Sequence, residues 1–185
     1  IAQRNAVVLA KETASVDQLS KGRLLFGIGA GYLVQEFEAL GINFEERGAR
    51  TDEYIDAIRE LWTSTKPEFA GQFVNYKGIQ SRPLAYQNGG PPVIVGGTSE
   101  AAYRRAIQKD HGWYGFALNI ASSQESVDAL KTLSESTNRS TDLGELEISI
   151  TPRVPLTDEV IKQFEDMGVS RLILLQTGQN EDQML

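Results

Sequence analysis

Two rhythms of apolar and polar positions alternate along the chain: short apolar runs punctuated by glycine, and longer stretches with apolar residues at helical spacing. Ala6 to Ser20 reads as a helix, with Val8, Leu9, Val16 and Leu19 approximating one face and Lys21-Gly22 as its stop signal. Arg23 to Gly29 is a buried strand that runs into Ala30-Gly31-Tyr32. Leu33 to Leu40 predicts a short irregular helix carrying Glu36 and Glu38, two apart and so not facing each other as an acid–base pair. The clearest helix follows Arg47-Gly48-Ala49-Arg50. Tyr54, Ile55, Ile58, Leu61 and Trp62 form its stripe, and Asp52, Glu53, Asp56, Arg59 and Glu60 form a solvated face. Phe69 to Gly78 has the aromatic and glycine spacing of a hairpin, and Pro83 to Pro92 reads as a loop.

The second half keeps the same rhythm. Pro92 to Val95 predicts a buried strand, Ser99 to Gln108 a helix, and Trp113 to Leu118 a strand. Ser122-Ser123-Gln124-Glu125 reads as a capping box for a helix towards Ser136 with Val127, Leu130 and Leu133 inward. Thr137 to Gly144 is polar and expected to be mobile. Leu146 to Ile150 is a strand. A helix from Thr157 to Gly168 with Val160, Ile161, Phe164 and Met167 on its face follows, then a strand from Ser170 to Gln176, with no closing helix after it. Five strands separated by helices imply parallel strands with helical crossovers. Periodicity is satisfied by an open doubly wound sheet or by part of a (β/α)8 barrel. Either gathers ligands at the C-terminal strand ends, where Gly29 to Tyr32, Gly96 to Ser99 and Asn119 are expected to converge.

Composition narrows the chemistry. The 185 residues fit one domain with a real core, or part of a larger one, and 41% hydrophobic with 23% charged residues is a soluble globular balance. The chain has no cysteine, which excludes thiolate nucleophiles and disulfides, and its single histidine, His111, cannot build a multi-histidine metal site. A net charge of -7 argues against a nucleic-acid surface. No apolar run spans a bilayer and no signal segment opens the chain, so the expectation is a cytoplasmic protein without membrane or nucleic-acid partners.

Two places invite a ligand. Gly96-Gly97-Thr98-Ser99 follows a strand and opens a helix: the glycines admit close approach, Thr98 or Ser99 can cap the first turn, and the helix dipole favours a phosphate. An ordinary strand-to-helix turn is the alternative. Gly27, Gly29 and Gly31 alternate on one strand face, leaving room for a ligand or for close helix packing. They do not complete a dinucleotide fingerprint. His111 sits just past a helix end, where charge complementarity with that end accounts for it and a catalytic role is the alternative.

Several blocks together resemble the luciferase-like monooxygenase family. They are Leu9-Ala10-Lys11-Glu12 and the run from Ser15-Val16-Asp17-Gln18-Leu19 through Lys21-Gly22-Arg23 to Phe26-Gly27-Ile28-Gly29-Ala30-Gly31-Tyr32. Glu36-Phe37-Glu38-Ala39-Leu40-Gly41, Phe44 to Glu53 and Pro92 to Ala102 complete the set. The resemblance is strongest from Asn5 to Gly115 and is most similar to the branch that uses the deazaflavin coenzyme F420. It implies a luciferase-like TIM barrel, here partial. Coenzyme F420, or alternatively FMN, would lie at the C-terminal mouth and act on a small organic substrate by hydride transfer or oxygen activation. It also implies that Gly96, Gly97, Thr98 and Ser99 form a phosphate-binding turn, that Gly29, Gly31 and Tyr32 lie beside the ring system, and that Phe69 to Gly78 helps cover the mouth.

The resemblance assigns no catalytic residue. Family members begin with strand–helix units not seen ahead of Ile1 and end with a helix not evident after Gln176. The expectation is therefore one barrel domain over 1–185, incomplete at its N-terminus and C-terminus. A further copy would cover the edge beside Arg23 to Gly29, giving a homo-oligomer. A non-catalytic flavin-binding or oligomerising degenerate barrel is the competing expectation, and an open flavodoxin-like sheet carrying FMN is a third.

Overall fold

A computed structural model of the chain describes residues 1–175. It forms two compact units, Ile1–Val93 and Ile94–Leu185.

The first unit opens with helix α1, Ala6–Ser20, whose cap Asn5 accepts from the Val7 and Val8 N–H groups at 3.0 and 3.1 Å. Its stop is the expected one: Lys21 and Gly22 both take left-handed φ, 55° and 78°. Its buried face is not. Ala6, Ala10, Thr13, Ala14 and Asp17 face inward, while Val8, Val16 and Leu19 are exposed, Leu19 at 83%. The reason is helix α3, Arg47–Thr63, whose Trp62 indole lies against α1 and donates to Ala10 O and Thr13 Oγ1 at 3.1 and 3.0 Å. Only small side chains on α1 leave room for it.

Strand β1, Phe26–Ile28, is shorter than the sequence suggests. Its Phe26 N–H donates to Pro92 O at 2.8 Å, and the Phe26 ring meets Trp62 edge-on at 5.6 Å. Helix α2, Val34–Ala39, buries only Phe37, which sits edge-on to Phe44 at 5.2 Å. The α3 stripe of Tyr54, Ile55, Ile58, Leu61 and Trp62 is buried as its spacing predicts. The hairpin is also present: β2, Phe69–Ala70, pairs antiparallel with β3, Asn75–Tyr76. Glu53, expected to point into solvent, instead accepts from the Gln72, Phe73 and Val74 N–H groups at 2.8, 2.6 and 2.7 Å. A hairpin turn leaves such N–H groups unpaired, and an α3 carboxylate within reach satisfies three together.

The second unit alternates strand and helix: β4 Val93–Gly96, α4 Glu100–Lys109, β5 Gly112–Leu118, α5 Ile120–Glu135, β6 Glu147–Pro152, α6 Asp158–Met167 and β7 Arg171–Leu172. Its strands are parallel, and one row runs Gly96, Tyr114, Ser149, Arg171 across them. The row beside it, Val95, Trp113 and Ile148, is buried. Helix α5 begins earlier than the Ser122 to Glu125 reading. Asn119 is its cap and Ser122 its third residue, each side chain bonding the other's backbone N–H at 2.9 and 3.0 Å. Segment 137–144, expected to be mobile, is pinned by Arg139, whose guanidinium donates to Ala106, Ile107, Asp110, Leu143 and Gly144 carbonyls at 2.8–3.1 Å. Thr157 caps α6, Phe164 and Met167 are its buried face, and Gly168 ends it at φ 90°. The expected extension of the last strand to Gln176, and the chain beyond it, lie outside the described residues.

Candidate functional site

The turn that follows β4 is built to present backbone. Val95 is buried, Gly96 is partly covered, and Gly97, Thr98 and Ser99 are exposed. Gly97 takes φ 122°, a conformation side chains rarely adopt. Of the two capping candidates, Ser99 does the work: its Oγ accepts from Ala102 N–H at 3.3 Å and its carbonyl from Tyr103 N–H at 3.0 Å. Thr98 is left outside the helix and is exposed.

The ten-residue helix α4 then places the positive end of its dipole at this turn. Glu100, in the first turn, would oppose an anion there. Arg104 draws its carboxylate back along the helix, with contacts of 2.7 and 2.8 Å. Behind the turn the Trp113 indole N–H donates to Gly97 O at 2.7 Å. The arrangement can receive an oxyanion on backbone N–H groups and hydroxyls.

The second place divides by residue. Gly27 and Gly29 face open space, since an added Cβ would meet no heavy atom within 4 Å, so helix packing does not account for them. They border a hollow of about 200 Å³ with Ile1, Arg4, Leu9, Phe26 and Ile28. Gly31 has a different reason: its φ is 93°, and a Cβ would stand 2.7 Å from the Phe37 ring. Tyr32 is 88% exposed.

His111 lies at the N-terminal end of β5, the opposite end of this parallel sheet from the Gly96–Ser99 turn, and its carbonyl accepts Glu147 N–H at 3.1 Å. Perturbed ionisation lies elsewhere. Burial, then the Glu60 charge, pushes the Tyr76 hydroxyl up to about 12, with its O–H donating to Ala57 O at 2.7 Å. Burial lowers the Arg139 pKa, and Asp110 opposes that shift. The sequence reading missed Trp113, Glu53 and Asp17. Asp17 is fully buried and accepts from Tyr86 N, Gln87 N and Gln87 Nε2 at 2.8, 2.9 and 2.8 Å.

Parallel strands with helical crossovers, and a glycine turn at a strand's C-terminal end leading into a capped helix, define an α/β protein. The family description "Luciferase-like monooxygenase" matches residues 1–163, and the chain belongs to that family. Among curated relatives, the uncharacterized protein Rv0940c of Mycobacterium tuberculosis is 29% identical over 92% of this chain and 57% of its own length. The FMNH(2)-dependent dimethylsulfone monooxygenase of Pseudomonas fluorescens is 27% identical over 73% of this chain and 37% of its own.

Among solved structures, an F420-dependent secondary alcohol dehydrogenase superposes with TM-score 0.71 at 15% identity, over 92% of this chain and 69% of that one. The coenzyme F420-dependent tetrahydromethanopterin reductase of Methanopyrus kandleri gives 0.66 at 18% identity, over 80% and 46%. The fold is thus the luciferase-like TIM barrel in part. The chain spans between 37% and 57% of the length of the two curated relatives described. Among the described residues no helix is long and apolar enough to cross a membrane.

Proposed function

We propose that this chain is the cofactor-binding part of a flavin- or coenzyme F420-dependent oxidoreductase or monooxygenase. It acts on a small organic substrate at the C-terminal mouth of a single barrel domain. Coenzyme F420 is the preferred cofactor, in keeping with the F420-dependent enzymes among its structural neighbours, and FMN is the alternative. The observation that carries the reading is the Gly96–Ser99 turn, exposed from Gly97 onward, left-handed at Gly97 and leading into a capped helix.

The residues present fit such a group. Gly97 admits a phosphate to the backbone. Ser99 Oγ accepts from Ala102 N–H, which leaves its own O–H to donate, and the Thr98 hydroxyl adds a second donor. Gly27 and Gly29 keep a strand face open where a side chain would otherwise project, as a flat ring requires. We assign the ring-side contact to Gly29, Gly31 and Tyr32. When bound, the cofactor supplies hydride transfer or the oxygen reactivity of a reduced flavin, while the protein supplies position and exclusion of water. The Phe69 to Gly78 hairpin is clamped by Glu53.

The chain works in the cytoplasm as a homo-oligomer in this reading. The cysteine-free sequence and the exposed Val8, Val16 and Leu19 of α1 favour that. Gly97→Val tests the assignment. A branched side chain at φ 122° is strained and crowds the approach, with Ala102 Cβ already 3.4 Å from an added Cβ. Cofactor affinity is expected to fall about tenfold or more. Unchanged affinity in a folded variant refutes the phosphate turn.

A further inference from the structure

We infer that Trp113 is a positioning residue for the anion-binding turn, setting the direction in which the Gly97–Thr98 peptide faces. The inference rests on the reading of Gly96–Ser99 as a phosphate seat. An indole has one donor and no acceptor, so a buried Trp orients by the single acceptor it finds. Trp113 is 0% exposed, and that acceptor is the Gly97 carbonyl, 2.7 Å from Nε1.

The Gly97 carbonyl and the Thr98 N–H belong to one peptide plane. In a trans peptide they point in opposite directions. A carbonyl held inward on the indole therefore turns the Thr98 N–H outward, towards the surface where Gly97, Thr98 and Ser99 are exposed. Without that bond, a glycine peptide free of Cβ constraints can rotate and present its carbonyl instead. An outward carbonyl repels an anion, so orientation decides whether the turn attracts or rejects phosphate.

The indole is itself held. The Tyr103 ring of α4 meets it at 5.6 Å and 64°. Gly115 provides space for it and for Leu118, since an added Cβ would stand 2.5 Å from Leu118 Cδ1 and 2.6 Å from Trp113 Cη2. Tyr103 and Gly115 thus fix the indole, the indole fixes the Gly97 carbonyl, and the carbonyl fixes the donor that meets the ligand.

The experiment measures FMN and riboflavin affinities, by flavin fluorescence, for the full chain, for Trp113→Phe and for Gly115→Ala. The two ligands differ only in the phosphate. Trp113→Phe keeps an aromatic ring and removes the donor, and Gly115→Ala keeps the donor and crowds the indole. The unsubstituted chain is expected to prefer FMN. Trp113→Phe is expected to weaken FMN about tenfold while riboflavin changes less than about twofold, and Gly115→Ala to shift the ratio the same way by less. A merely structural role would weaken both ligands alike. An unchanged FMN-to-riboflavin ratio in both folded variants overturns the role of Trp113 and leaves the phosphate seat standing. No preference for FMN in the unsubstituted chain overturns the seat itself.

Discussion

Asp17→Ala is expected to unfold the first unit more readily by about 2–4 kcal/mol. Asp17 is fully buried and accepts from Tyr86 N–H, Gln87 N–H and Gln87 Nε2 at 2.8, 2.9 and 2.8 Å, tying α1 to the loop that leads to β4. Truncation does not orphan all three. Gln87 Nε2 also donates to Leu24 O at 2.9 Å and retains that bond. Two backbone N–H groups remain, and each buried donor without an acceptor costs about 1–3 kcal/mol. Both bonds are partly buried, which places each in the lower half of that range. Small domains have about 5–15 kcal/mol in all, so the loss is a large fraction of the total. Urea unfolding followed by far-ultraviolet circular dichroism reads it as a lower midpoint at unchanged slope. Asp17→Asn, which keeps one acceptor oxygen, is expected to lose roughly half as much. A loss below about 1 kcal/mol for Asp17→Ala would show that water or local rearrangement satisfies the loop and that the clamp is not needed.

Tyr76 controls an alkaline limb. Its hydroxyl, pushed up to about 12, ionises above the unfolded value of about 10, so the folded state holds a proton that the unfolded state has released. The contribution is intact below pH about 10 and disappears as pH rises towards 12; Tyr76→Phe should flatten that limb in urea midpoints, and an unaltered limb rejects the assignment. The two neighbouring glycines should behave oppositely. Gly31→Ala, at φ 93° and 2.7 Å from Phe37, is expected to lose about 1–3 kcal/mol. Gly29→Ala, with no heavy atom within 4 Å, should stay within about 0.5 kcal/mol in the same assay. Equal losses at the two positions would refute the distinction.

Elements whose ends carry local chemistry were legible from the residues. Lys21-Gly22 ends α1, and Thr157 and Gly168 bound α6, because caps and left-handed stops act within a turn of their own position. The face of α1 was not legible. A hydrophobic stripe is the usual inward signal, but a Trp62 indole far along the chain needs alanines to sit on, and Val16 and Leu19 are displaced outward. Long polar side chains reversed two further expectations in the same way. Glu53 looks like a solvated helix charge until the hairpin brings three N–H groups to it. Arg139 sits in a polar segment that reads as mobile until α4's end offers it carbonyls. At the candidate site the turn itself was visible, because Gly96-Gly97-Thr98-Ser99 is contiguous. Its support from Trp113 was not, because that hydrogen bond joins residues 16 apart across two strands.

The central claim is that this chain carries the seat of a flavin-type cofactor. Titrating the purified 185-residue chain with coenzyme F420 and with FMN, by fluorescence, tests it most directly. The account predicts saturable binding, tighter for coenzyme F420 than for FMN and weakened by Gly97→Val. Saturation by neither, with circular dichroism showing a folded chain, would contradict it.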